Sequence, residues 1–243
     1  PQTIGAASGA AVGGVAVILF LGFGPLVELG AFAGAAIALL LVLLIARSDT
    51  LSPVLTLVLS GVAVSAFCIA LLGVAKYVAD PESRLPDIVF WLLGSFAAST
   101  WDRAWLVAAA TALAAAVLIG MRWRINVLSL GDEDAMMLGV RPRLDRIIVL
   151  AAVCLAISAQ VAISGTIVWV GLVIPNLARF IVGSDHRHLL PASALLGAIF
   201  LLLADTLSRT LTPTEIPVGV ITALVGTPVF AVLLRYNAGS KTR

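Results

Sequence analysis

Few residues in this chain have the types and spacing to do chemistry. His186 and His188 lie two apart; such a pair either faces solvent or begins a metal site. Cys68 and Cys154 are each embedded in apolar sequence, which suits small core hydrophobes rather than a disulfide framework or a metal knuckle. Asp205 and Arg209 are four apart and share a helix face. At that spacing they are expected to form an ion pair. Glu215 precedes Ile216-Pro217 and is placed to cap or pair; equally, Pro213 and Pro217 end a helix there without any function. Gln160 stands within an apolar run, where its amide needs a hydrogen-bond partner on another helix or contacts a polar solute. Asp132-Glu133-Asp134 is an acidic cluster. No phosphate loop, ligand-spaced His/Cys cluster or Ser/His/Asp constellation occurs in the sequence. Nothing in these residues calls for covalent catalysis, a metal or a cofactor.

The elements that must position these residues are set by composition. Of the 243 residues 61% are hydrophobic and 12% charged, with a mean hydropathy of +1.12. A soluble domain carries about 25% charged residues, so the expected solvent is lipid. The net charge is +2 and no basic patch interleaves with aromatics, which excludes nucleic acid as a partner. In lipid the backbone must satisfy itself as helices or a closed barrel, and these runs are too long and too uniformly apolar for barrel strands. The expected fold is all-α: one polytopic transmembrane helical domain over 1–243. Its eight expected spans are 5–21, 26–46, 53–74, 101–121, 146–163, 166–182, 191–207 and 218–234. Only Ser164-Gly165 separates the fifth from the sixth.

Orientation follows from the Lys/Arg bias of the loops. Arg47, Arg122, Arg124, Arg141, Arg143, Arg146, Arg179, Arg187, Arg235, Lys241 and Arg243 fall on one side; Lys76, Arg84, Arg103 and Arg209 fall on the other. This split predicts an inner-membrane protein with both ends of the chain in the cytoplasm. The chain opens at Pro1 with no charged n-region, so its first apolar run does not read as a signal peptide.

Gly5, Gly9 and Gly13, then Gly30 and Gly34, recur at four-residue spacing. Such rows let helices approach closely in lipid, within the molecule or at a dimer seam. Residues 85–96 are apolar but too short to span and are expected to be re-entrant or interfacial, with Trp91, Trp101 and Trp105 in an interfacial belt. Between the fourth and fifth spans, residues 128–145 read as a short helix, a turn and a second short helix on the cytoplasmic side. Ser129 and Asp132 have capping-box spacing. Asp132, Glu133 and Asp134 then suit the first turn, and Gly139 with Pro142 stops the helix. Apolar Met136, Met137, Leu138 and Val140 beside an acidic turn make either a solvated connector or a docking surface.

At this point a resemblance becomes specific. Leu128-Ser129-Leu130-Gly131-Asp132-Glu133-x-Ala135-x-x-Leu138-Gly139-Val140 resembles the coupling segment of the FecCD-like permeases of iron-chelate and cobalamin importers. Gly171-Leu172-Val173-Ile174-Pro175-Asn176-x-x-Arg179 resembles a second hallmark, with Asn176 where the family more often has His. Asp185-His186-Arg187-x-Leu189-Leu190-Pro191, and Glu215-Ile216-Pro217-x-Gly219-x-x-Thr222-Ala223-Leu224-x-Gly226-x-Pro228, follow in order. The opening Ile4-Gly5-x-x-Ser8-Gly9-Ala10 is similar to the start of the family's third span. Family members usually have ten spans, so this chain is expected to hold the third to the tenth.

The resemblance implies a permease subunit of an ATP-binding-cassette importer of the type II kind, not an enzyme. It carries an iron-siderophore or related metal chelate, such as haem or cobalamin, by alternating access. Implied partners are a second permease copy or a paired permease, two ATPase subunits that hold ATP and Mg, and a periplasmic or lipid-anchored substrate-binding protein. It assigns Leu130, Gly131, Asp132, Glu133, Asp134, Ala135, Leu138, Gly139 and Val140 to ATPase coupling and Arg209 to the binding protein. The loop around Ser52 and Pro53 is similar to the family's cytoplasmic gate; Gln160, Glu215 and Pro217 are gate or pathway candidates. A secondary transporter would instead carry coupling-ion carboxylates at mid-membrane. Only Asp205 approaches that, and Arg209 is beside it.

Overall fold

The computed structural model describes residues 5–46, 53–97 and 99–240. Among them every regular element is an α-helix: α1 (Ala6–Leu21), α2 (Leu26–Ile45), α3 (Pro53–Val78), α4 (Arg84–Leu93), α5 (Trp101–Gly120), α6 (Arg122–Leu128), α7 (Asp132–Met137), α8 (Pro142–Ser164), α9 (Val170–Val182), α10 (His186–Thr210) and α11 (Val218–Ser240). The all-helical expectation holds. The span count does not follow from length alone. Five helices, α2, α3, α5, α8 and α10, are long and apolar enough to cross a membrane. The other three expected spans are the shorter apolar helices α1, α9 and the Val218–Leu233 part of α11. At 1.5 Å per residue the 16 residues of α1 reach about 24 Å, short of a hydrocarbon core of about 30 Å.

The chain forms two compact units, Pro1–Ala114 with Leu150–Thr166, and Ala115–Val149 with Ile167–Arg243. In the first, α1 packs along α2 through the predicted glycine rows. A Cβ on Gly13 would overlap the Gly30 carbonyl oxygen, and one on Gly34 the Gly9 carbonyl oxygen. The rows therefore serve packing inside the unit. Ala6, Ala10, Ala31 and Ala35 are fully buried there. Apolar surface gives no drive between helices in lipid, so this close approach is what holds the pair. The outward faces stay apolar, as lipid allows: Phe67 and Leu202 are 60% and 68% exposed.

Helix α4 is short as expected, with 10 residues. It packs on α1, and here the tryptophan expectation divides. Trp101 and Trp105 are exposed, whereas Trp91 is buried in the core of the first unit. Its indole occupies the space where a Gly14 side chain would stand. A belt residue is thereby excluded at Trp91, because only glycine on α1 leaves room for the ring. Beyond α4 the chain is pinned to the end of α8. Ser95 N donates to Ser164 O (2.9 Å), and Thr166 Oγ1 donates to Leu92 O (2.5 Å). The break between the fifth and sixth apolar segments is longer than the expected dipeptide. Helix α8 ends at Ser164 and α9 starts at Val170. Gly165 (φ +68°) and Trp169 (φ +74°) lie in the left-handed region between them.

Candidate functional site

The predicted acidic segment folds as an elbow in the second unit, and its base is held by ion pairs to Arg124 and Arg146. Ser129 does not cap α7. Its Oγ donates to Asn126 O (2.6 Å), closing α6, and the N-cap of α7 is Gly131 at φ +116° with no side-chain cap. Asp132 therefore opens the helix instead of sitting one turn inside. Its carboxylate accepts Arg146 Nη1 (2.9 Å) and also pairs with Arg146 Nη2. Asp132, Glu133 and Asp134 do occupy the first turn, where free N–H groups favour anions.

The end of α7 is where the glycine signal placed it. Gly139 has φ +77°; its N–H donates to Met136 O (3.0 Å) and the Val140 N–H to Ala135 O (3.0 Å). This is the Schellman pattern, with Ala135 and Val140 in the accompanying apolar contact. No second short helix follows. Pro142 occupies the first position of α8, where a missing N–H costs nothing, so the residues expected as a separate helix are the first turns of α8. Asp145 fastens that start. It is fully buried, accepts from Arg141 N (3.1 Å) and pairs with Arg124 (2.8 Å). Replacing Asp145 with Ala removes both bonds, one of them to a charged partner, and is expected to cost about 2 kcal/mol. The measurement is the thermal unfolding midpoint of detergent-solubilised protein.

The expected coupling residues thus divide in two. Gly131, Asp132, Ala135, Gly139 and Val140 shape the elbow. Leu130, Glu133, Asp134 and Leu138 are exposed, as are the neighbouring Met136 and Met137, the latter at 85%. An exposed apolar tip flanked by two exposed carboxylates can receive a partner without unpacking anything.

One further attachment was not foreseen. Asp185 caps α10 by accepting from Arg187 N (2.9 Å), and Asn126 Nδ2 donates to the same oxygen (2.6 Å). The Arg187 N–H and Asn126 hold the Asp185 carboxyl below its ordinary range. The cap also starts α10 five residues earlier than expected. His186 is not part of a solvent-facing pair: it is half-buried against Asn126, while His188 is exposed. Nothing local in the sequence marks this contact, since the partners are 60 residues apart.

Near the other end of α10, the expected pair of Asp205 and Arg209 is present (2.9 Å), and Arg209 also reaches Glu215 (3.2 Å). Pro217 precedes α11, whose start is closed by Val220 N on Pro217 O (3.0 Å). Among the described residues Gln160 finds no partner across helices. It lies one turn from the end of α8 and donates to Ser164 Oγ (2.6 Å) and Gly165 O (3.2 Å), because the helix end leaves carbonyls free. Asn176 donates to Leu172 O (2.7 Å) inside α9. Pro53 is the first residue of α3, and Ser52 lies outside the described residues. No group of three or more His, Cys, Asp or Glu that could hold a metal occurs among the described residues.

The model of the FecCD transport family matches residues 1–236. The molybdate import system permease protein MolB of Haemophilus influenzae is 40% identical over 238 residues, covering 96% of this chain and 69% of that protein. The cobalamin import system permease protein BtuC of Halobacterium salinarum is 41% identical over 242 residues, covering 97% of this chain and 63% of that protein. A solved structure described as of the metal-chelate ABC transporter type, in an inward-facing conformation, superimposes with a TM-score of 0.90. It is 39% identical and is matched over 97% of this chain and 75% of its own.

Proposed function

Since this chain belongs to the FecCD transport family, we propose that it is the membrane-spanning subunit of an importer that carries a metal chelate into the cytoplasm. The driving force comes from ATP and Mg on separate ATPase subunits. The substrate is an iron-siderophore or a related chelate such as haem or cobalamin. A relative that imports cobalamin supports that class. The single domain crosses the inner membrane eight times, with both ends of this chain in the cytoplasm. It works beside a second permease copy and under a substrate-binding protein. Arg209, 44% exposed while paired, meets a carboxylate of that protein. Ser52, Pro53, Gln160, Glu215 and Pro217 belong to the gates or the pathway.

The observation that carries the reading is the elbow: a fastened base and an exposed tip of Glu133, Asp134, Met136 and Met137. A lever needs both, since a partner's push must move the attached helices and not the tip alone. Reversing Glu133 and Asp134 to Lys is expected to lower co-purification of the ATPase roughly tenfold, the cost of opposing rather than complementing a partner's charge. Asp132 is left in place because its pair with Arg146 holds the elbow itself. Undiminished co-purification of the ATPase with a normally folded double variant would end the docking assignment.

A further inference from the structure

We propose that Asn126 is the positioning residue through which movement of the elbow is passed to α10. This rests on the reading of the elbow as the point where the ATPase acts. Asn126 belongs to α6, and its backbone carbonyl is tied by Ser129 Oγ (2.6 Å) to the turn that leads into α7. Its side chain is spent wholly on α10. The amide nitrogen donates to Asp185 Oδ1 (2.6 Å). The amide oxygen accepts from His186 N (3.0 Å) and stands 2.6 Å from His186 Nδ1. That oxygen is an acceptor only, so Nδ1 carries the proton at this contact.

One planar group therefore grips the cap and the first residue of α10 at once, with a donor and an acceptor fixed side by side. Among the described residues, the polar links from the elbow to α10 all run through this amide, whereas those to α8 run through Asp132–Arg146 and Arg124–Asp145. Helix α10 continues for 25 residues. Its far end, about 35 Å away at 1.5 Å per residue, carries Asp205 and Arg209, the latter paired with Glu215. A displacement of the elbow thus has a stiff route to the other end of the unit, entered through Asn126.

Chemistry supplies a test by exchange. Asn126→Asp removes the donor and sets two carboxylates against each other. Adding Asp185→Asn returns a donor–acceptor pair with its direction reversed: the new amide turns its nitrogen to residue 126 and gives up the Arg187 N–H, because both bonds fall on one Asp185 oxygen. A residue that only shapes the fold would alter stability and assembly, not the ratio of transport to ATP hydrolysis. The full-length permease is reconstituted in vesicles with its ATPase and binding protein. Uptake per ATP hydrolysed is measured for whichever of radiolabelled ferric citrate, haem, cobalamin or molybdate the unsubstituted protein accumulates.

Asn126→Asp is expected to keep ATPase binding while lowering uptake per ATP roughly tenfold, within the usual range of coupling between sites. The double variant is expected to recover most of that loss. Asn126→Ala, which cuts both links without adding charge, carries the same expectation if the acidic variant does not assemble. An unchanged ratio in the single variants overturns the proposal, as does a folded, ATPase-bound double variant with no recovery. Failure of the unsubstituted protein to bind an ATPase or take up any probe overturns the functional reading itself, and this proposal with it.

Discussion

A Gly165→Ala variant is expected to fold poorly or not at all, with a loss of about 5 kcal/mol from left-handed strain and broken hydrogen bonds. Gly165 has φ +68°, and an added Cβ would overlap the Trp91 carbonyl oxygen while standing 3.1 Å from that carbonyl carbon and 3.3 Å from Gly94 Cα. These obstacles are backbone atoms and cannot swing away. Relief requires the end of α4 to leave the end of α8, which breaks the bonds from Ser95 N to Ser164 O and from Thr166 Oγ1 to Leu92 O. It would also disturb the Gln160 amide, which donates to the Gly165 carbonyl. The thermal midpoint and the yield of monodisperse protein in detergent are the measurements. Gly73→Ala is the control, because nothing lies within 4 Å of its new methyl and helical alanine is favoured over glycine. A midpoint for Gly165→Ala equal to that of the control would refute the strained corner.

The second large effect is expected at the α1–α2 seam. Gly13→Val drives a branched side chain into the Gly30 carbonyl, whose carbon lies 2.8 Å from the position of the new Cβ, with Gly34 Cα at 3.0 Å. The helices must part, and the packing of Ala6, Ala10, Ala31 and Ala35 goes with them. Overpacking of this kind costs about 3 kcal/mol or more when neither side can yield. The midpoint is expected to fall whether the protein is monomeric or dimeric. A variant that changed only the oligomeric state, read by light scattering, would mean that the glycine row serves an interface between copies.

The sequence signals that proved reliable were those whose physics is local. Apolar runs became helices because lipid leaves the backbone no other partner. Gly139 ended α7 through a left-handed cap that needs no distant residue. Asp205 and Arg209 paired because four residues bring side chains together on one helix. Local patterns misled where a nearer partner was on offer. Ser129 had the spacing to cap α7 but bonded back to Asn126, and the Gln160 amide was satisfied by the end of its own helix. The second short helix vanished because Pro142 is as good a first helical residue as it is a helix stop.

Composition and periodicity by themselves determined a lipid-solvated helical protein, its apolar segments, the rows of glycine and the exposed acidic turn. Each depends on neighbours within a turn or two, or on the solvent as a whole. Tertiary structure alone decided which tryptophan is buried, since the slot for Trp91 is opened by Gly14 on another helix. It also decided what holds the elbow. Asp132 meets Arg146 across 14 residues, and Asn126 meets Asp185 and His186 across 59 and 60. Pairings at such separations leave no period to read, because they exist only once packing has brought two remote segments within hydrogen-bonding distance.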